Sequence, residues 1–208
     1  MLRWIIRASC VVEFLLLAGF AVAQTEFSGD IVNLDKDGAP VQAKIYVAKD
    51  KIRVEPMEGS KKGMGGAFVV NLATQTSTVL MPQQHMYMEM PAQMTSQRAA
   101  YNFFRTGDVE NACADWLAQS TNKGGTCHKV GSDTVNGRSA VKYEGTNAKG
   151  DTSAVWLDPK LRFPVKWQGK NGGGELRNVQ EGTQPASLFE VPAGYTKFDM
   201  GQMMQRQQ

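Results

Sequence analysis

Histidine is almost absent from the 208-residue chain, which contains only His85 and His128. Histidine is the side chain most often used for acid–base catalysis near neutral pH. Neither residue lies in a nucleophile elbow, an HExxH zinc motif or a phosphate-binding loop. The sequence therefore predicts a protein that is not an enzyme and that needs no cofactor.

The chain also lacks a large excess of basic over acidic residues, or the reverse. The chain has 23 basic and 20 acidic residues, a formal net charge of +3 and no basic run. Loss of residues 1–23 would remove Arg3, Arg7 and Glu13, so the remaining charge would be 3 − 2 + 1 = +2. A surface that binds nucleic acid needs a basic patch or stripe. The composition therefore excludes nucleic acid as an expected partner.

No apolar run reaches the length of about 20 residues that spans a bilayer. The run from Phe14 to Val22 follows Arg3 and Arg7 and ends at the small-x-small motif Ala21-Val-Ala23. Those features predict a cleaved signal peptide over residues 1–23 rather than a stable transmembrane anchor. We then expect one domain over residues 24–199, exported to the periplasm or beyond it, and a polar flexible tail over residues 200–208.

Cysteine is scarce as well, with three residues in the whole chain. Cys10 lies within the predicted signal peptide, which leaves Cys113 and Cys127 as a pair in an exported chain. Such a pair predicts a disulfide that closes a loop of about 15 residues. A metal site made of Cys113, Cys127 and His128 is the alternative, although its spacing matches no standard zinc pattern.

Short strands separated by turns fill most of the chain. Val41, Ala43, Ile45 and Val47 alternate with polar residues, which is typical of a half-buried strand. Asn136-Gly137 is a strong hairpin signal. About eleven strands in an antiparallel meander are expected, and they predict a mainly β, curved half-barrel.

A single region changes to a helical period. Val109, Ala112, Trp116 and Leu117 share one helical face within residues 93–119. Gly107 is expected to divide this region into two short helices, with Asp108 at the start of the second. These helices are the expected lid over the concave side of the sheet, so the fold prediction includes a cavity.

Five segments resemble a family of exported bacterial proteins of unknown function, which is itself similar to the LolA, LolB and LppX lipoprotein-carrier superfamily. The segments are Phe27-Ser-Gly-Asp-Ile-Val, residues 43–55, residues 81–90, residues 155–166 and Leu188-Phe-Glu-Val-Pro-Ala-Gly-Tyr. The resemblance implies an unclosed antiparallel half-barrel with a helical lid over an apolar cavity. It also implies that the protein holds a lipid or an acylated ligand.

The hairpin over residues 78–91 provides the candidate ligand site. The incoming strand is expected over Thr78–Met81, the turn over Pro82–Gln84 and the return strand over His85–Met90. Met86, Met88 and Met90 alternate on the return strand and therefore share one face. Methionine is unbranched and conforms to irregular ligands. These three residues, with Trp116 from the lid and Trp167 from a later strand, are the expected lining of a hydrophobic cavity, although methionine and tryptophan also fill ordinary cores.

Two alternatives remain open at this point. Thioether and imidazole groups are ligands for Cu(I), so His85, Met86, Met88 and Met90 are a candidate copper site. Successive methionine side chains on one face lie about 7 Å apart along a strand, which is wide for a shared ion. The other alternative is a scaffold that binds an envelope protein and no small ligand.

Overall fold

The computed structural model describes residues 25–35, 40–57, 66–91, 108–118 and 123–198. The predicted signal peptide and the polar tail lie outside these residues. The strands are β1 Phe27–Asp35, β2 Pro40–Val47, β3 Lys51–Pro56, β4 Phe68–Asn71, β5 Thr76–Met81, β6 Met86–Pro91, β7 Thr126–Val135, β8 Arg138–Thr146, β9 Thr152–Asp158, β10 Phe163–Gly169, β11 Gly172–Glu181 and β12 Thr196–Lys197.

All the strands belong to one curved, unclosed sheet with the order β12-β6-β5-β4-β3-β2-β1-β11-β10-β9-β8-β7. Every pair is antiparallel except β12 with β6. The half-barrel with a helical insertion that the sequence predicts is therefore confirmed. The order differs from a single meander, because β1 pairs with β11 and joins two meanders, β1–β6 and β7–β11.

The turns follow local chemistry. Asn136 and Gly137 have φ values of 49° and 79°, as the predicted two-residue hairpin between β7 and β8 requires. The turn between β5 and β6 is a 3-10 helix over Pro82–Gln84, and the next residue, His85, adopts a left-handed conformation with φ 50°. His85 was expected to begin the return strand, which instead starts at Met86.

The main core cluster joins strands from both meanders. Its fully buried members include Phe27, Ile45, Ile52, Val70 and Phe163. The rings of Phe27 and Phe163 meet edge to face with centroids 5.3 Å apart. Because Phe27 lies in β1 and Phe163 in β10, this contact stabilises the curvature that brings the two halves of the sheet together.

A second cluster of buried residues covers the face of β2–β6 that is opposite to the main core cluster. The C-terminal segment forms a 3-10 helix over Ala186–Phe189, and Phe189 packs there with Val69 and Leu80. The guanidinium of Arg53 donates a hydrogen bond of 2.7 Å to the carbonyl oxygen of Leu188. This segment continues into β12, which pairs with β6.

The described part of the helical region contains one α-helix, α1, over Ala112–Leu117. Residues 93–107, which the prediction also made helical, lie outside the described residues. The Asp108 carboxylate accepts a hydrogen bond of 2.9 Å from the backbone N–H of Glu110, and Asn111 is the N-cap of α1. Among the described residues, no helix is long and apolar enough to cross a membrane.

Candidate ligand-binding face and methionine hairpin

The register of β2 to β6 defines two faces, because residues paired across antiparallel strands project to the same side. We call the side that carries Ile45, Ile52 and Val70 the inner face. One row of pairs crosses it from β2 to β6. The row is Ile45–Val54, Val54–Phe68, Phe68–Val79 and Val79–Met88. Met86 and Met90 flank Met88 at alternate positions, so the three methionines share the inner face as predicted by their spacing.

Of the five residues in this row, only Ile45 near the centre of the sheet is fully buried. Ile45 is fully buried, and Val54 and Phe68 are partly buried against the main core cluster. Val79 and Met88 are half-buried. The inner face therefore remains apolar beyond the point at which the core itself covers it.

A fourth methionine belongs to the same surface. Met81 at the end of β5 pairs directly with Met86 at the start of β6, and both side chains are half-buried. The sequence pattern placed Met81 in the incoming strand without assigning it to this face. No sequence signal indicates this pairing, because it depends on the four-residue connection from Pro82 to His85 that the register shows.

The other residues of the hairpin face the C-terminal segment. The ring of His85 lies edge to face with that of Tyr195, with centroids 5.8 Å apart. Tyr87 packs in the second cluster, and Lys197 pairs with the Glu89 carboxylate. The structure therefore places His85 with the second cluster and not with Met86, Met88 and Met90.

Trp167 packs against the main core cluster from β10. It pairs with Gly174 of β11, and a Cβ atom at Gly174 would lie only 2.5 Å from Cζ2 of the Trp167 ring. The indole therefore crosses directly over the backbone of the glycine, next to Asn33. In the strand order, β11 and β1 to β5 lie between Trp167 and the methionine strand.

Trp116 of α1 lies beside a third cluster, which contains Val109 and Tyr143. Its ring lies against Gly145 of β8, where an added Cβ would approach Cη2 to 2.9 Å. Val109 packs nearby on Tyr143, whose hydroxyl donates a hydrogen bond of 2.8 Å to the Val109 carbonyl oxygen. This cluster lies beside β7 and β8, at the opposite end of the strand order from β6, which carries Met86, Met88 and Met90.

The predicted disulfide is confirmed and joins Cys113 of α1 to Cys127 of β7, with their Cα atoms 5.4 Å apart. The alternative metal site is wrong, because both sulfurs are consumed by this bond. His128 instead lies 3.8 Å from the Glu144 carboxylate. In the described ranges, no group of three or more His, Cys, Asp or Glu side chains is placed to hold a metal ion.

A polar cleft of about 710 Å³ lies at the ends of β7 to β10 and includes His128, Glu144, Asp151 and Lys170 in its lining. A hydrogen bond from Lys142 at 2.6 Å lowers the pKa of the Glu144 carboxyl below its ordinary value. A bond of 2.7 Å from Lys170 lowers the pKa of Asp151 in the same way. These pairs are exposed ion pairs, and neither carboxylate is held in the raised-pKa state that suits a general acid.

Comparison with known proteins supports the fold. No protein-family model and no curated protein matches the chain. An uncharacterized conserved protein from Thermus thermophilus matches over 85% of this chain and 91% of its own, with 10% identity and a TM-score of 0.54.

MucB, in its complex with MucA(peri), matches over 83% of this chain with 17% identity and a TM-score of 0.51. The chain spans just over half of MucB, since the match covers 56% of that protein. The Pseudomonas aeruginosa MucA/MucB complex gives the same TM-score of 0.51. A LolA superfamily protein from Nitrosomonas europaea is matched over 82% of this chain, with 10% identity and a TM-score of 0.34. The matches with TM-scores above 0.5 share the architecture of this chain, an unclosed antiparallel half-barrel with a helical insertion.

Proposed function

We propose that this chain is an exported, periplasmic, non-enzymatic binding protein that holds a lipid or another hydrophobic ligand against its inner face. The observation that carries the proposal is the row from Ile45 to Met88, in which an apolar surface continues from full burial into partial exposure. Large apolar surfaces that a core does not cover are typical of binding sites. Export is expected from the signal peptide predicted over residues 1–23.

Such a protein must bind the acyl chain about as strongly as the membrane does. Each buried CH₂ contributes about 0.8 kcal/mol, so a sixteen-carbon chain gains about 13 kcal/mol in any apolar environment. A bilayer offers a similar gain, and the protein must therefore match it over a surface that adapts to the ligand. Met86, Met88 and Met90 suit this requirement, because three rotatable bonds let each thioether follow the shape of the ligand.

Native mass spectrometry of the protein purified from its own periplasm, followed by solvent extraction, tests the proposal and identifies the ligand. Binding of a fluorescent sixteen-carbon fatty acid to the stripped protein then gives an affinity. We expect Met88→Glu to weaken that affinity at least tenfold, which corresponds to about 1.4 kcal/mol. An ionised carboxylate at this position would have to be desolvated when the acyl chain covers it.

The matched control is Gln83→Glu, which adds the same charge in the exposed turn of the same hairpin. It should bind the probe as the unmodified protein does. A bare mass together with no uptake of the probe would refute lipid binding. So would unchanged probe affinity in a folded Met88→Glu variant.

A second candidate function is the binding of an envelope protein. It is supported by the shared architecture with MucB, whose crystal structure holds MucA(peri). Under this alternative the inner face covers apolar side chains of a polypeptide instead of an acyl chain. Native mass spectrometry distinguishes the two, since a protein partner adds kilodaltons to the mass and resists solvent extraction.

A further inference from the structure

The pairing of β5 with β6 brings methionine side chains closer together than alternate positions along a single strand do. Met81 and Met86 are direct partners across the hairpin, and Met88 lies diagonal to Met81. Cβ atoms of direct antiparallel partners are about 4.5–5.5 Å apart, and diagonal neighbours about 7–8 Å, which long side chains can bridge. The direct pair Met81–Met86 therefore places two thioethers within reach of one ion, and the long side chain of Met88 can reach the same ion from its diagonal position.

We propose that Met81, Met86 and Met88 form a binding site for Cu(I) at the turn end of the inner face. Thioether sulfur is a soft ligand that favours Cu(I) over harder divalent ions. The other inner-face partners in this hairpin are Ser77, Val79 and Met90, and they include no carboxylate or imidazole. The site therefore selects a soft monovalent ion by the chemistry of its ligands.

The backbone that carries these sulfurs is held on both sides. β5 lies along one edge of β6, and the C-terminal segment lies along the other. The backbone N–H of Thr196 donates to the carbonyl oxygen of His85 at 2.8 Å, and that of Phe198 donates to Tyr87 at 2.7 Å. All three methionines are half-buried, so an ion can reach them while the sheet limits access of water. The positions are thus fixed before the ion binds, which reduces the ordering cost of binding.

The site does not rest on the proposed lipid function, and leucine substitutions separate the two. Leucine retains the apolar volume of methionine and removes the sulfur, and cores tolerate such volume-conserving exchanges. A Met81→Leu/Met86→Leu/Met88→Leu variant should therefore lose copper while it keeps the affinity for the fluorescent fatty acid. Met90→Leu is the matched control, because Met90 shares the face but pairs with Ser77 beyond the group.

The experiment titrates the full mature protein with Cu(I), kept reduced by ascorbate, against a chromophoric Cu(I) chelator. The expected result is one Cu(I) per chain for the unmodified protein and for Met90→Leu, and at least a hundredfold weaker binding for the triple variant. The ε-methyl NMR signals of Met81, Met86 and Met88 should shift on binding, while that of Met90 stays in place.

Dependence on pH provides a readout that does not require a variant. Thioethers carry no proton, so the affinity should change less than about twofold between pH 7 and pH 5. A site completed by a protonatable ligand such as imidazole would instead lose affinity as the pH falls, because the protonated form cannot bind the ion. The inference is overturned by a protein that binds no Cu(I), by a loss of affinity of tenfold or more at pH 5, or by full binding in the triple variant. If the triple variant does not fold, Met81→Leu alone must weaken binding at least tenfold or the inference fails.

Discussion

Removal of the Cys113–Cys127 disulfide is the perturbation whose size follows most directly from the structure. The two cysteines are 14 residues apart, so the bond closes a loop of 15 residues. In the chain-entropy model, closing a loop of this length raises the free energy of the unfolded chain by about 3 kcal/mol at 25 °C, because it lowers the entropy of that chain. We expect Cys113→Ser/Cys127→Ser to lower the free energy of unfolding by about that amount.

The loss should be concentrated in α1. This helix has six residues and none of them is buried, whereas isolated helices shorter than about 12–15 residues are marginal in water. Without the disulfide, the contacts that still hold the start of this segment on the sheet include the hydrogen bond from the Tyr143 hydroxyl to the Val109 carbonyl oxygen and the ion pair of Lys129 with Glu110. The amides of Ala112–Leu117 should therefore exchange with solvent well before those of the sheet.

Urea unfolding followed by circular dichroism measures the first effect, and hydrogen exchange measures the second. For a domain of this size, 3 kcal/mol corresponds to a fall of about 6–12 °C in Tm. The unmodified protein treated with dithiothreitol is the control and should match the double variant. The reasoning is refuted if the variant unfolds at the same urea concentration as the oxidised protein, or if α1 keeps its protection.

Two further predictions concern the sheet. Gly174→Ala should lower the free energy of unfolding by about 1–3 kcal/mol and change the fluorescence of Trp167, because the new Cβ enters the space of the indole. The control is Gly169→Ala, where the nearest atom is 3.9 Å from the new Cβ. Equal losses in the two variants would contradict the packing argument. Hydrogen bonds from Lys160 and Arg138 lower the pKa of the Glu181 carboxyl below its ordinary 4.5. These bonds therefore stabilise the folded protein fully above pH 4.5, and the stabilisation is lost as the pH falls through the lowered pKa of Glu181. Glu181→Gln should therefore flatten the acid limb of the stability curve, and an unchanged limb would show that this carboxylate does not contribute.

Features that depend on neighbouring residues were predictable from the sequence. The Asn136-Gly137 turn formed as expected, because few residue pairs accept two consecutive positive φ angles. The alternation that placed Met86, Met88 and Met90 on one face also held, since it follows from strand geometry alone. His85 shows the limit of this reasoning, because its left-handed conformation ended the turn one residue later than the pattern indicated.

Features that depend on pairing between distant strands were not predictable in the same way. A strand period of two reports which residues share a face, but it does not report which strand lies next to which. The contact of β1 with β11 and the separation of Trp116 from the methionine strand both follow from the strand order. The role of Met81 could be seen only when the register paired it with Met86.

By itself the amino-acid sequence determined the class of protein, a mainly β chain with a helical insertion and a disulfide, because turn chemistry, side-chain alternation and cysteine number are local properties. The tertiary structure alone decided how the two meanders join and which apolar side chains remain half-exposed on the inner face. It decided them because burial and register depend on residues far apart in the chain, such as Ile31 of β1, which pairs with Ala43 on one side and with Leu176 on the other.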